Sequence, residues 1–241
     1  MKAFVVNGSP HTEKGNTALI LDPFVEGMKD EGASVDVVYT KRLDVAPCEG
    51  DYACWFKTPG ACFRHDDMER MLPLASSADI LVFATPVYVD GATGPLKNFM
   101  DRLIPIGHPE IEVREGHCRH PQRERLENGV LALVANCGFW ELDNFDPLVV
   151  HMKAAAKNLG REYAGALLRP HGGALRPMID GAMGVQDVLD AAREAGREIV
   201  RHGRISERAM NIVSRELLPR ETFVDIANTR MKQALDKLER R

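Results

Sequence analysis

The sequence predicts an α/β protein built on an open, parallel, doubly wound sheet. Three observations carry this. Apolar runs suited to buried strands alternate with amphipathic stretches suited to helices, five of each. The strand-like runs are short and nearly continuous in apolar residues, as in Asp79-Ile80-Leu81-Val82-Phe83-Ala84, the pattern of a strand buried on both faces. Between the first strand and the first helix lies Asn7–Thr17, a polar loop punctuated by Gly8 and Gly15, where sheets of this type bind anions.

Taken in order, residues 2–7 read as the first strand and 15–31 as a helix with Leu19, Ile20, Phe24, Val25 and Met28 on its apolar face. Gly32 ends that helix. Residues 34–39 alternate and are β-branched, so they form the second strand of a right-handed βαβ unit. Residues 40–65 are irregular. Asp66-Asp67-Met68 opens a helix with Met68, Met71, Leu72 and Ala75 inward. The third strand, 79–84, stops at Thr85-Pro86 because proline has no N–H for the ladder. Pro95 begins a helix over 95–104 that turns Leu96, Phe99, Met100 and Leu103 inward and Lys97, Asp101 and Arg102 to the other side. Residues 105–128 are a long polar insertion with no apolar period, the kind of connection that serves as a lid, an interface or a mobile segment.

The fourth strand is 129–135, followed by a helix over 145–159 ended by Gly160. A weaker fifth strand covers 163–168. Pro170–Gly184 reads as a surface excursion, and a helix over 185–202 closes on Gly203. Residues 206–241 are amphipathic in two segments around Pro219, with Val224, Ile226, Met231, Leu235 and Leu238 free to dock on this domain or on another subunit. Residues 1–204 are thus expected to form the main domain, with 105–128 inserted, and residues 205–241 a helical extension for docking or oligomerisation.

The net charge of −4 offers no electrostatic footprint for nucleic acid. No apolar run approaches the roughly 18–20 residues that span a bilayer, and no signal core follows Met1-Lys2-Ala3-Phe4-Val5. A cytoplasmic protein with no membrane partner is expected. The five cysteines are odd in number and come with no secretion signal, which argues against a disulfide framework.

The Asn7–Thr17 loop is not G-x-G-x-x-G, and Lys14 precedes Gly15, so it is neither a dinucleotide fingerprint nor a P-loop. Helix-start N–H groups suit a phosphate, and Ser9, Thr12, Asn16 and Thr17 offer side-chain donors. Asn, Ser and Thr are also ordinary caps, so the loop alone fits a plain βα turn equally well. Two further irregular loops follow strands three and four: Thr85-Pro86-Val87-Tyr88, and Asn136-Cys137-Gly138-Phe139-Trp140. In a sheet ordered 2-1-3-4-5 all three lie along one edge of the ligand crevice.

With these loops in hand, the chain resembles the flavodoxin-like NAD(P)H-dependent FMN reductases, and more narrowly their iron–sulfur flavoprotein branch. The resemblance is carried over about residues 1–140 by Gly8-Ser9-Pro10 with Gly15-Asn16-Thr17, the Cys48–Cys62 segment, Asp66-Asp67-Met68 and Ala78-Asp79-Ile80. It continues through Thr85-Pro86-Val87-Tyr88, Gly94-Pro95-Leu96-Lys97 and Asp101-Arg102. It implies a flavodoxin-like fold. It implies that Ser9, Pro10, His11, Asn16 and Thr17 hold the FMN phosphate, and that Pro86, Val87, Tyr88 and Gly91 lie along the isoalloxazine and ribityl chain. Asn136, Cys137, Gly138 and Phe139 would border the ring. It further implies hydride transfer from NAD(P)H to FMN and on to a small-molecule acceptor, with no catalytic side chain, in a homodimer or homotetramer. The alternative is a non-enzymatic flavin electron carrier or redox sensor fed by a protein donor, with or without a metal cluster.

The iron–sulfur branch is similar in carrying C-x2-C-x2-C and a fourth cysteine. Here the spacing gives Cys48, Asp51, Cys54 and Cys62. A carboxylate is a harder ligand than a thiolate, so a [4Fe–4S] cluster is not expected. Three readings stand: a relic loop near the flavin, a cluster completed by Asp51 or a partner residue, or a zinc or thiol–disulfide site. His65 beside the three thiols and the run His117-Cys118-Arg119-His120 are subsidiary ligand candidates.

Overall fold

The computed structural model describes residues 1–124, 126 and 129–239. Its first half runs β1 (Lys2–Asn7), α1 (Asn16–Asp30), β2 (Ser34–Tyr39), α2 (Ala53–Phe56), α3 (Met68–Ser77), β3 (Ile80–Pro86) and α4 (Gly94–Asp101). There follow β4 (Glu112–Arg114), β5 (His117–Arg119), β6 (Val130–Asn136), α5 (Asp146–Asn158), β7 (Glu162–Arg169), α6 (Leu175–Asp180), α7 (Gln186–His202), α8 (Glu207–Ser214) and α9 (Arg220–Glu239). The main sheet has the order β2-β1-β3-β6-β7 with every pairing parallel. This is the expected 2-1-3-4-5 arrangement, with the small antiparallel hairpin β4–β5 set apart from it. Among the described residues, no helix is long and apolar enough to cross a membrane.

Successive strand side chains leave the sheet on opposite faces, and each face builds its own core. Ala3, Val5, Ile80 and Val82 pack with Phe24 of α1, Ile199 of α7 and Val213 of α8. Phe4, Val6, Leu81 and Phe83 pack with Met71 of α3, Phe99 of α4 and Met152 of α5. On the first face α1 and α7 touch backbone to backbone. A Cβ added to Gly27 would lie 1.8 Å from the carbonyl oxygen of Arg193, and one on Gly196 would lie 2.0 Å from that of Phe24. Above this contact Asp30 receives Arg193 and Arg197 at 2.8 and 2.7 Å.

Several expectations are corrected. β3 runs on through Pro86, which pairs opposite Asn136 at the strand's last position, where a missing N–H costs little. Arg102 is not on the outer side of α4. It is 2% exposed, bonds both oxygens of buried Asp66 at 2.6 and 3.0 Å, and donates to the Ala46 carbonyl. The helix after Gly94 ends at Asp101, and a single tight turn covers Ile104–Ile106. The polar insertion has structure of its own. Glu115 (φ 52°) and Gly116 (φ 75°) form the mirror-type turn that joins β4 to β5. Its residues 125, 127 and 128 lie outside the described residues. Pro170–Gly184 is not a plain surface excursion, because His171 and Leu175 are fully buried there.

Candidate functional site

β1, β3 and β6 are neighbours in the sheet, so the loops at their carboxyl ends emerge side by side. Hydrogen bonds tie these loops together. The Thr93 hydroxyl donates to the Gly8 carbonyl at 2.8 Å, and the Thr93 N–H donates to the Thr85 hydroxyl at 3.2 Å. The Val87 N–H donates to the Asn136 carbonyl at 2.8 Å. The Thr17 hydroxyl donates to Oδ1 of Asn136, joining the first loop to the third.

The first loop is shaped by Asn7 and Gly15. Asn7 Oδ1 accepts the Ser9 N–H at 2.8 Å, which turns the chain as β1 ends. The other amide atom, Asn7 Nδ2, is buried with no partner among the described residues. A Cβ on Gly15 would lie 2.5 Å from Ser9 Oγ, so a larger residue there would have to turn the Ser9 hydroxyl out of its place in the loop. α1 then starts with no side-chain cap and no acidic residue in its first turn. Starts of α2, α4 and α6 share these two features, so the free N–H groups of α1 point to an anion only together with the glycine loop and the orphaned amide beside them. Glu13 is close in sequence but is held by Arg42 at 2.7 Å, and that bond keeps its carboxyl well below the usual range. Uncapped donors, a glycine cradle and an orphaned amide are a donor set that fits a phosphate. Pro10 and His11 are exposed at this loop, Asn16 is half-buried, and Ser9 and Thr17 are buried. With its hydroxyl engaged by Asn136, Thr17 has its backbone N–H left to offer.

In the second loop Tyr88 and Gly91 exchange both backbone hydrogen bonds, at 3.0 and 3.1 Å. They enclose Val89 (φ 47°) and Asp90 (φ 60°) in the left-handed region. A β-branched residue in that region is strained, and such strain concentrates at ligand clamps. Val89 is fully exposed at the tip, and Tyr88 is half exposed beside it.

The third loop is pinned from behind. Cys137 donates its N–H to the Arg169 carbonyl at 3.0 Å, and its carbonyl accepts from Gly172 at 2.9 Å. Burial pushes the Cys137 thiol up, and its sulfur accepts the Phe139 N–H. It is a buried acceptor rather than a reactive thiolate. Gly138 and Phe139 stand exposed in front of it. The exposed Phe139 and Tyr88 rings therefore belong to two adjacent loops of one crevice, next to the uncapped start of α1.

Sequence reasoning missed the support behind this loop. Arg169 and His171 are fully buried at the end of β7. Among the described residues, Arg169 faces no carboxylate. It donates to the carbonyls of Val213 and Arg215 at 2.6 and 2.5 Å, capping the end of α8. Burial lowers its pKa to about 10. Burial and the nearby Arg169 charge lower His171 to about 4, so it is neutral at pH 7. His171 Nε2 accepts the Leu217 N–H at 3.0 Å, which assigns the proton to Nδ1, an atom buried without a full hydrogen bond. Its ring stacks on Trp140, whose indole N–H donates to the Leu218 carbonyl at 3.0 Å. No periodicity marks these residues. Their one legible signal is position, just past a strand end.

The cysteine loop lies elsewhere. Cys48, Cys54, Cys62 and Asp51 line one small pocket together with Arg102 and Pro105. Burial and the neighbouring Cys62 and Cys48 raise the Cys54 thiol. Asp51 Oδ1 is engaged by the Ala53 N–H at 2.8 Å, starting α2. Among the described residues, no three His, Cys, Asp or Glu side chains are arranged to hold a metal ion. His65 pairs with Glu69 on the exposed face of α3. His117 and Cys118 are exposed on the hairpin, and His120 packs on Trp55.

The sequence pattern of the family described as NADPH-dependent FMN reductase matches residues 1–137. An iron–sulfur flavoprotein of Archaeoglobus fulgidus is 33% identical over 117 residues, covering 48% of this chain and 52% of that protein. Another, from Methanosarcina thermophila, is 31% identical over 104 residues, covering 43% of this chain and 53% of the relative. The chain thus spans about half the length of the curated relatives it matches. Among solved structures, an FMN-dependent NADH-azoreductase from Bacillus anthracis in complex with FMN superposes with a TM-score of 0.62. It is 17% identical, covering 83% of this chain and 99% of its own. An NAD(P)H:quinone oxidoreductase from Methanothermobacter marburgensis superposes with a TM-score of 0.59 at 18% identity, covering 84% and 98%. At these identities the two structures establish the fold. With a matching pattern over more than half its length, the chain belongs to the NADPH-dependent FMN reductase family.

Proposed function

We propose that this chain binds FMN in the crevice above β1, β3 and β6 and acts as an NAD(P)H-dependent oxidoreductase toward a small-molecule acceptor. The observation that carries the reading is the uncapped, acid-free start of α1 beside two loops that expose aromatic rings. Ser9, Pro10, His11, Asn16 and Thr17 surround the phosphate position. Pro86, Val87, Tyr88 and Gly91 line the ribityl chain and one edge of the flavin ring. Asn136, Cys137, Gly138 and Phe139 border its other side. Bound FMN would supply the hydride acceptor and electron donor. The chain's own work is then to bind and orient: helix-start N–H groups anchor the phosphate, and Tyr88 and Phe139 give the ring apolar walls that exclude water. No side chain is required as nucleophile, acid or base. Residues 1–204 form the flavin-binding unit in this reading, and 205–241 its extension.

Calorimetric titration of flavin-free protein with FMN and with riboflavin tests the anchor. FMN is expected to bind about 100-fold more tightly, a difference of about 2.7 kcal/mol. Gly15→Ala, whose Cβ collides with Ser9 Oγ, should erase most of that difference while riboflavin binding persists. Equal affinities for the two flavins, or binding of neither, would remove the basis for the proposal.

A further inference from the structure

Residues 215–223 link α8 to the first turn of α9 and reach the candidate site from behind. Leu217 gives its N–H to His171 Nε2 at 3.0 Å, and the Leu218 carbonyl accepts the Trp140 indole N–H at 3.0 Å. Arg220 lies over the Trp140 ring, 5.9 Å from its centroid, and Phe223 packs on His171 with ring centroids 5.8 Å apart. The segment is itself tied down, since Arg215 pairs with Asp187 at 2.7 Å and donates to the Gly184 carbonyl at 3.0 Å.

Phe139 depends on these contacts. Its side chain is 66% exposed, so packing does little to fix the ring. The place of the ring is set by the backbone beneath it. The Phe139 carbonyl accepts the His171 N–H at 2.6 Å, its N–H goes to Cys137 Sγ at 3.4 Å, and Trp140 is the next residue. Gly138 on the other side is exposed and adds no anchor of its own side chain. His171 and Trp140 are therefore the two holders of Phe139 that residues 217–223 hold in turn. An indole is a donor only, so the single bond to the Leu218 carbonyl directs the Trp140 ring.

We propose that Trp140 is a positioning residue of the flavin site. Its bond to the Leu218 carbonyl lets residues 217–223 fix where the Phe139 ring stands, so this C-terminal segment belongs to the flavin wall. This role rests on the crevice being a flavin site. It concerns the ring end of the ligand. The phosphate position lies at the start of α1, on the first loop, whose residues take no part in these contacts. Coupling is reciprocal, so a flavin held against Phe139 slows the opening of the 217–223 segment.

Trp140→Phe in the full chain keeps an aromatic ring and removes the N–H. Riboflavin carries the ring system without the phosphate, so its dissociation constant reads the wall by itself. On folded protein it should rise about fivefold, the worth of one net hydrogen bond, and that of FMN by the same factor. The ratio between the two flavins stays as in the unaltered chain, unlike Gly15→Ala, where it collapses. Phe223→Leu should act in the same direction through His171. Hydrogen exchange followed by mass gives a second readout in flavin-free protein: amides 138–141 should exchange about fivefold faster in Trp140→Phe, while those of β6 keep their rate. A lowered urea midpoint with an unchanged riboflavin constant would show a merely structural role and overturn the proposal. Unchanged exchange at 138–141 would overturn it as well, because the Leu218 bond would then not hold the loop. Failure of the unaltered chain to bind either flavin would instead refute the flavin reading, and the role of Trp140 with it.

Discussion

Gly15 and His171 show how much single residues decide in this chain. Gly15 leaves the Ser9 hydroxyl its place in the loop, and the uncapped helix start beside it, with the orphaned Asn7 amide, is the strongest reason to place a phosphate there. His171 acts from behind, held neutral between Trp140 and Phe223. Its pKa is about 4 in the folded chain, against an ordinary value of 6.5. Between those pH values the unfolded chain takes up a proton that the folded one resists. Stability is therefore fully present above about pH 6.5 and falls as pH drops toward 4, by on the order of 3 kcal/mol. Urea unfolding across that window should show the slope, and His171→Asn should lessen it by about one proton. Asparagine tolerates the left-handed backbone at this position, so the variant should still fold. An unchanged slope would mean that His171 is not the titrating group. Loop composition made Ser9, Tyr88 and Phe139 legible in the sequence. Beyond its place just past a strand end, nothing made His171 legible, because the Leu217 N–H that it accepts lies 46 residues away.

At the scale of elements, periodicity located the strands and helices of the main sheet, because each strand is a continuous apolar run and each helix has one apolar face. It failed where tertiary contact overrides pattern. Arg102 reads as an outward residue of α4, yet its guanidinium is the buried partner of Asp66. Burial pushes the Asp66 carboxyl up, but Arg102 and the N–H groups of Met68 and Ala46 more than reverse this and hold it low. The glycines of α1 and α7 were equally silent. Gly196 reads as a weakness in a helix, whereas it admits the Phe24 carbonyl. Gly196→Ala has no flexible neighbour to push aside, so the helices must part. A loss of about 1–3 kcal/mol or more is expected by thermal or urea unfolding, against the gain that alanine brings to an ordinary helix interior. A stabilised variant would contradict the close contact.

On the scale of the whole molecule, the sheet order positions the candidate site. It sets the carboxyl ends of β1, β3 and β6 side by side, so that three loops distant in sequence emerge together. Alternation of strands and helices predicted the parallel doubly wound sheet, its 2-1-3-4-5 order belonged to the flavodoxin-like resemblance, and family membership rests on the first 137 residues. The C-terminal third was less legible. Its segments tie into the body through backbone carbonyls that accept from Arg169 and Trp140, and carbonyls carry no side-chain signature. The central claim is that this crevice holds FMN in reach of a nicotinamide. The most direct measurement is the visible spectrum of the FMN-loaded protein, mixed without oxygen with NADPH and separately with NADH. The proposed function predicts that the protein-bound flavin absorbance bleaches within the mixing experiment with at least one of the two. A flavin that stays bound and oxidised with both, yet bleaches with dithionite, would contradict it.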